Sequence, residues 1–231
     1  MKTVGLLGGM SWESTVPYYR IINQVVGETL GGLHSARMVL YSVDFQEIEQ
    51  LQHAGRWTEA GEILVAGARS VQRAGADFLV LCTNTMHKVA PQIEAAVDLP
   101  LLHIADATAV RVKATGLSRV GLLGTRFTME EDFYRGRLEQ GHGLEVLVPP
   151  PGQQETVHRV IYEELCRGTV RDESRGQYQR IVRDLGDRGA AGVILGCTEI
   201  GLLLGPDDAE VPLFDTARIH AEEAARYSLA T

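Results

Sequence analysis

Apolar positions along this chain alternate between two rhythms. Short unbroken apolar runs, bounded by glycine or polar residues, read as strands buried on both faces of parallel sheets. Between them, apolar residues recur at three- and four-residue spacing, the mark of helices with one buried face. Strands are expected at 3–7, 37–43, in the run that ends at Cys82, and at 99–103. The first helix is expected from about Trp12, with Ser11 as its N-cap and Tyr18, Ile21, Ile22, Val25 and Leu30 as its apolar face. Gly31 and Gly32 stop it. Asp44 caps a short helix containing Ile48, Leu51 and Gln52. The next helix lines up Trp57, Ala60, Leu64, Ala68 and Val71, and two more are expected near 89–96 and 105–115.

The pattern then starts again. Residues 118–125 repeat the opening strand and its glycine turn, with Gly124 and Thr125 standing where Gly8 and Gly9 stand in the first copy. A helix follows Thr128, with Met129, Phe133 and Leu138 as its apolar side. A strand at 144–148 is closed by Pro149 to Gly152. Helices follow at 156–166 and 173–185, then a strand ending at Gly196, a short one at 211–214, and a last helix from Thr216. The two runs that end at Cys82 and Gly196 share a Gly-Ala lead-in. Laid over each other, they put Thr83 on Cys197 and Asn84 on Thr198. Three landmarks in one order indicate an internal duplication. Strand–helix alternation throughout implies parallel sheets with right-handed crossovers. The expected fold is therefore α/β, with two pseudo-symmetric three-layer lobes at 1–116 and 117–231, the terminal helix able to pack back on the first. A pseudo-twofold relation would turn the two polar clusters toward one site between the lobes.

In open parallel sheets, ligands bind at the carboxyl ends of the strands, where both clusters fall. Cys197 precedes a short helix expected to start near Thr198. A thiol at such a position has its pKa lowered from about 8.5 and serves as nucleophile or general base. The same residue in a core would be inert packing, and Cys82 and Cys166 are read that way. Thr83 is either a helix cap or, opposite a thiol, a proton donor; Asn84 and Thr85 suit the same turn. One Cys and one His do not form a metal ligand set, so His87 is read as a hydrogen-bonding neighbour of the loop. The Gly8-Gly9 turn lacks the dinucleotide-binding order of glycines. It presents backbone amides that suit a carboxylate, as does Thr125 in the second copy.

Composition narrows the chemistry further. The chain has 231 residues, 45% of them hydrophobic, enough to bury a sizeable core. Its net charge of −8 argues against nucleic acid or membrane surface as partner. An anionic substrate would have to be held by local donors. Three cysteines without a disulfide framework fit a reducing compartment. The opening apolar run, interrupted by Gly8-Gly9, reads as a strand rather than a signal-peptide core, and no stretch approaches the ~18 apolar residues of a spanning helix. A cytoplasmic location is expected. Of Lys2, Lys88 and Lys113, none is placed to form a Schiff base with pyridoxal phosphate, so no cofactor is expected.

The loop from Gly8 to Ser14, the run Thr83 to His87, the pair Gly124-Thr125 and the run Gly196 to Glu199 resemble the aspartate/glutamate racemase family over essentially the whole chain. The resemblance implies two α/β lobes with the active site between them, no cofactor, an amino-acid substrate and a homodimer. It also implies two cysteines that work on opposite faces of the substrate α-carbon. The family pattern reads Cys-Asn-Thr-x-His where this chain reads Thr83 to His87, so the first cysteine is replaced. By the resemblance, Cys197 is then the base and Thr83 the acid, and the L isomer of Asp or Glu is the better substrate. It further implies substrate contacts from Met10 and Ser11, from Asn84, Thr85 and Thr198, and from Gln52, which is otherwise a surface glutamine. Glu199 binds the substrate ammonium or holds the loop. Competing readings on the same scaffold are a single-cysteine decarboxylase, a hydantoin racemase and a non-catalytic amino-acid-binding protein.

Overall fold

The computed structural model describes residues 1–230. It divides into two units: Met1–His103 together with the segment from His220 onward, and Ile104–Ile219. Each is built around one four-stranded parallel sheet with helices on both sides.

In the first unit, β1 (Val4–Gly8) leads into α1 (Trp12–Leu30), β2 (Met38–Ser42), α2 (Phe45–His53), α3 (Trp57–Arg73) and β3 (Phe78–Leu81). A 3-10 turn (Thr85–Val89), α4 (Ala90–Glu94) and β4 (Leu101–Leu102) follow. The strand order is β2-β1-β3-β4. β1 and β3 are buried along their whole length because helices cover both faces, so their sequences are apolar without alternation. Leu7, Leu64, Ala68, Leu79, Leu81 and Ile93 carry the core. Asp44 starts α2 as expected, its carboxylate accepting the Gln46 N–H at 3.0 Å. On α1 the buried apolar stripe is Tyr18, Ile22 and Val26, and Leu30 lies exposed. Residues four apart stack on one face there.

The second unit opens with α5 (Ile104–Ala114), then β5 (Arg119–Gly124), α6 (Arg126–Glu130), a π turn (Arg137–Gly141), β6 (Glu145–Leu147) and α7 (Pro151–Glu163). After a 3-10 turn (Leu165–Arg167) come α8 (Asp172–Asp187), β7 (Val193–Gly196), α9 (Ile200–Leu203), β8 (Leu213–Asp215) and α10 (Thr216–Leu229). The strand order β6-β5-β7-β8 repeats that of the first unit. So does the register. Gly5 pairs with Val39 and Leu79, and Gly121 pairs with Leu147 and Val193; Leu79 meets Leu101 as Val193 meets Leu213. The duplication thus extends to individual backbone pairings. Leu122, Leu123, Tyr134, Tyr178, Leu185 and Ile194 fill this core.

Three local expectations differ from the structure. The helix after Thr128 is not continuous: α6 ends at Glu130, and Glu131 takes an extended backbone. Glu130, Glu131 and Asp132 crowd negative charge at a helix carboxyl end, where the helix dipole opposes it. α7 begins at Pro151 instead of 156, since proline at the first helical position sacrifices no hydrogen bond. The change of unit falls at His103/Ile104 rather than at Gly116. The repeat restarts at β5, but α5 buries Ile104, Ala105, Ala109 and Val112 in the second core. Asp106 also takes a two-pronged bond from Arg137 at 2.7 and 2.6 Å. The counterpart helix α10 returns to the first unit, where the Lys2 N–H donates to the Ser228 carbonyl at 2.8 Å and Phe78 meets the Tyr227 ring. Among the described residues, no helix is long and apolar enough to cross a membrane.

Candidate active site

Both clusters named from the sequence stand at the carboxyl ends of the central strands. In the first unit, β1 turns at Gly9, whose φ is +92° and whose missing Cβ would lie 2.3 Å from the Val43 carbonyl. Only glycine fits there, and the turn is thereby pressed against the exit of β2. The Thr15 hydroxyl accepts the Gly9 N–H at 2.9 Å and donates to the Ser11 carbonyl at 2.8 Å; the Ser14 hydroxyl reaches the same carbonyl at 3.1 Å. Met10 and Ser11 are buried within this loop. Ser11 occupies the N-cap position of α1, but its side chain makes no cap bond.

At the end of β3 the Thr83 N–H donates back to the Leu81 carbonyl at 2.8 Å, turning the chain sharply. Thr83, Asn84 and Thr85 are all buried. The Thr83 carbonyl lies 2.7 Å from His87 Nδ1, so that nitrogen carries the proton. This is the hydrogen-bonding role expected for His87. Its ring lies 4.4 Å from that of His103 and 6.0 Å from that of His220. His220 Nε2 donates to the Leu102 carbonyl at 2.8 Å, which leaves Nδ1 to accept the Tyr18 hydroxyl at 2.9 Å. Burial lowers the His220 pKa to about 4, against a small opposing effect of the Leu102 carbonyl. The imidazole is neutral at pH 7. Gln52 on α2 is not a surface glutamine: it is buried and its amide donates to Met86 Sδ at 3.0 Å. The Lys88 ammonium sits 4.0 Å above the Trp57 ring. Cys82 is fully buried and burial pushes its thiol pKa up, as its core reading requires.

In the second unit, Gly124 and Gly196 are register partners, so Thr125 and Cys197 leave adjacent strand ends together. Thr125 caps α6, its hydroxyl accepting the Thr128 N–H at 3.3 Å. Cys197 Sγ donates to Glu199 Oε2 at 2.9 Å, and Thr198 Oγ1 donates to the same oxygen at 2.8 Å. All three residues are buried. Here a sequence expectation is overturned. The Cys197 pKa is raised well above the ordinary value, first by burial, then by the Glu199 charge and by Cys166. α9 is only four residues long, and its first residue is Ile200. Such a helix has little dipole to offer, and Cys197 rests as a thiol.

Two further groups belong to this neighbourhood. Burial raises the Tyr178 phenol pKa, reinforced by Cys197, Cys166 and Glu164 and opposed by Arg159. The Tyr178 hydroxyl donates to the Val157 carbonyl at 2.9 Å. Glu164 is buried, accepts the Ser174 hydroxyl at 2.7 Å and lies 3.9 Å from Arg171. Neither stands near Cys197 in sequence and neither has a counterpart in the first copy, so no spacing signal marks them. A cavity of about 530 Å³ lies elsewhere in this unit, lined by Gln179, Arg183, Asp187, Asp207 and Asp208 among others; it contains none of the candidate residues. Among the described residues, no group of three or more His, Cys, Asp or Glu side chains could hold a metal ion.

The fold and these strand ends define a class: a duplicated α/β protein with a hydroxyl and a thiol at equivalent positions of its two sheets. Within that class the chain belongs to the Asp/Glu/Hydantoin racemase family, whose profile matches residues 7–224. It is an isomerase of that family. A crystal structure from Yersinia pestis, provisionally described as an Asp/Glu racemase, is 59% identical over all of both chains with a TM-score of 0.92. An aspartate racemase homologue from Pyrococcus horikoshii OT3 is 34% identical, again over the full length of both, with a TM-score of 0.85. The broad specificity amino-acid racemase RacX of Bacillus subtilis is 24% identical over 98% of each chain.

Proposed function

We propose that this enzyme racemises aspartate, glutamate or both without a cofactor, with Cys197 removing the α-hydrogen and Thr83 supplying a proton to the opposite face. The observation that carries the reading is the buried Cys197 thiol at the end of β7, bonded to a carboxylate, with a threonine at the equivalent end of β3. A thiol can cycle through its thiolate far more readily than an alcohol through its alkoxide. The reaction should therefore start better from the isomer whose α-hydrogen meets Cys197, and by resemblance that is the L isomer. The loop at Met10 and Ser11, with Gln52, Asn84, Thr85, Thr125 and Thr198, would hold the substrate through short-range hydrogen bonds. Such bonds are needed because the chain's net charge of −8 repels a dicarboxylate at long range.

The test is α-hydrogen exchange in heavy water, run separately on both enantiomers of Asp and Glu and followed by chiral chromatography. The reading expects faster exchange from the L isomers with appearance of the D isomers. Exchange at equal rates from both enantiomers would sink the asymmetry. Ligand-induced stabilisation without exchange would mark a binding protein, and carbon dioxide release from a disubstituted malonate a decarboxylase.

A homodimer is part of the same proposal. α1 presents Trp12, Val16 and Tyr19 to solvent at helical spacing, Trp12 being 62% exposed. That stripe, next to the Met10-Ser11 loop, suits a second copy. Trp12→Lys with Tyr19→Lys should shift the sedimentation coefficient to that of a monomer.

A further inference from the structure

Glu199 Oε2 accepts two hydrogen bonds at once, from a thiol at 2.9 Å and from a hydroxyl at 2.8 Å, inside a buried loop. Glu199 itself is 2% exposed and Cys197 7% exposed. That oxygen therefore has both of its lone-pair directions engaged, one of them by the sulfur. Thr198 holds the carboxylate from one side, fixing the oxygen that faces the sulfur. Burial and the Glu199 charge both work against loss of the thiol proton to water. A sulfur that must act as base in that setting needs a local place for its proton. The first unit has no equivalent device: in the repeat, Asn84 falls on Thr198 and Thr85 on Glu199, so a hydroxyl stands where the carboxylate stands.

We propose that Glu199 takes the proton of Cys197, so that the working base is a sulfur–carboxylate pair rather than sulfur alone. The Sγ–H bond breaks with its electron pair left on sulfur, and an O–H bond forms on Oε2. The charge moves within the pair and the net charge is unchanged. The substrate step rests on the racemase reading. The thiolate takes the α-hydrogen, the C–H pair stays on carbon, and the Thr83 O–H bond breaks to form the new C–H bond on the opposite face. Solvent then restores the Thr83 proton and removes the one held by Glu199. Cys166 and Tyr178 interact electrostatically with Cys197, and Glu164 and Arg159 act in turn on Tyr178.

The pair makes a prediction about pH that needs no substrate. Proton exchange between Sγ and Oε2 is internal, so the thiolate population does not depend on pH as long as the carboxyl beside the thiolate keeps the transferred proton across that range. The rate at which iodoacetamide alkylates Cys197, followed by peptide mass spectrometry between pH 6 and 8, should be nearly flat in the wild type. Glu199→Gln keeps the size and can still accept the thiol bond, but cannot take the proton. Its alkylation should rise about tenfold per pH unit, since the proton must now go to water, and at pH 6 should fall at least about tenfold below the wild type. Glu199→Asp should remain flat. A wild-type rate that itself climbs tenfold per unit would overturn the pair without any variant. So would Glu199→Gln alkylating faster at every pH, as expected if the carboxylate only repels a thiolate. The α-hydrogen exchange of the L substrate, measured over the same range, separates the two ideas. Flat alkylation with no exchange keeps the pair and removes the racemase reading; steep alkylation with exchange does the reverse.

Discussion

The ends of β3 and β7 are the same place in two copies of one design, yet they are built for different work. Their strands share a register to the individual residue. After β7 the chain reads Cys197-Thr198-Glu199, and the third side chain folds back onto the first. After β3 it reads Thr83-Asn84-Thr85, and the turn is fixed from its backbone side by His87. One end hydrogen-bonds its thiol to a buried carboxyl group. The other carries a hydroxyl, and its backbone carbonyl is held by His87, whose ring lies near those of His103 and His220. Duplication therefore supplied the geometry twice, while a few substitutions left a thiol beside a carboxylate at one end and hydroxyls at the other, the difference on which the proposed division of labour rests.

The largest expected effect comes from the end that carries the sulfur. Cys197→Ser should lower α-hydrogen exchange from both enantiomers by about 10³-fold or more, the upper range for loss of a general base. If exchange from the D isomer survived this change, Thr83 would be a base in its own right and the division of labour would be lost.

The next effect separates the two ends by acid. His220 is buried neutral, with its folded pKa lowered to about 4 against about 6.5 unfolded. Below pH 6.5 the unfolded chain binds a proton that the folded chain refuses, so stability falls as pH falls. The loss runs from about pH 6.5 down to about pH 4 and totals about 3 kcal/mol. Above 6.5 this group adds no slope. Urea midpoints across that range should fall in the wild type and fall less by about that amount in His220→Gln, whose amide can donate to Leu102 and accept from Tyr18. Superimposable pH curves for the two proteins would dismiss the histidine as a source of acid sensitivity. Because His220 neighbours His87, the first unit should show the loss as earlier amide exchange.

Much of this was legible in the chain itself. Apolar runs without alternation gave the parallel strands, because a strand covered on both faces has no side left for polar residues. Repetition of the glycine turn and of the polar clusters gave the duplication and located Thr83 and Cys197. What escaped was whatever depends on side chains meeting through folding. The Cys197 environment was misjudged because a helix start near Thr198 suggested a stabilised thiolate, whereas the four-residue α9 stabilises little and the adjacent Glu199 turns inward. Gln52 could be read either as a surface residue, because α2 is polar overall, or as a substrate contact; it is buried against Met86. Glu164, just after α7, and Tyr178, on α8, have no repeat partner. The unit boundary was displaced because sequence repetition marks where the strands restart, and α5 ahead of that point is claimed by the second core.

A smaller change at the other strand end dissects the reaction. Thr83→Val keeps the shape and removes the hydroxyl. Cys197 should still wash deuterium into the L isomer, while formation of the D isomer should fall by about 10²-fold, the lower range for loss of a general acid. Exchange and inversion are then uncoupled. Equal loss of both would mean that Thr83 helps to hold the substrate and does not deliver its proton.

The smallest effect is also the most direct comparison of the two ends, since it makes them more alike. Thr83→Cys places a thiol after both central strands. Thiols ionise near pH 8.5, alcohols far above, so the first end gains a group able to abstract as well as donate. Exchange from the D isomer should rise by about tenfold, with exchange from the L isomer little changed, and the enantiomer ratio should move toward one. The gain should stop short of symmetry. Thr85 occupies the position that Glu199 occupies in the second copy, so the new thiol would have no carboxylate to receive its proton. Adding Thr85→Glu to Thr83→Cys should raise exchange from the D isomer further. If the single substitution already equalised the two isomers, the carboxylate would be dispensable and sulfur alone would account for the difference between the ends.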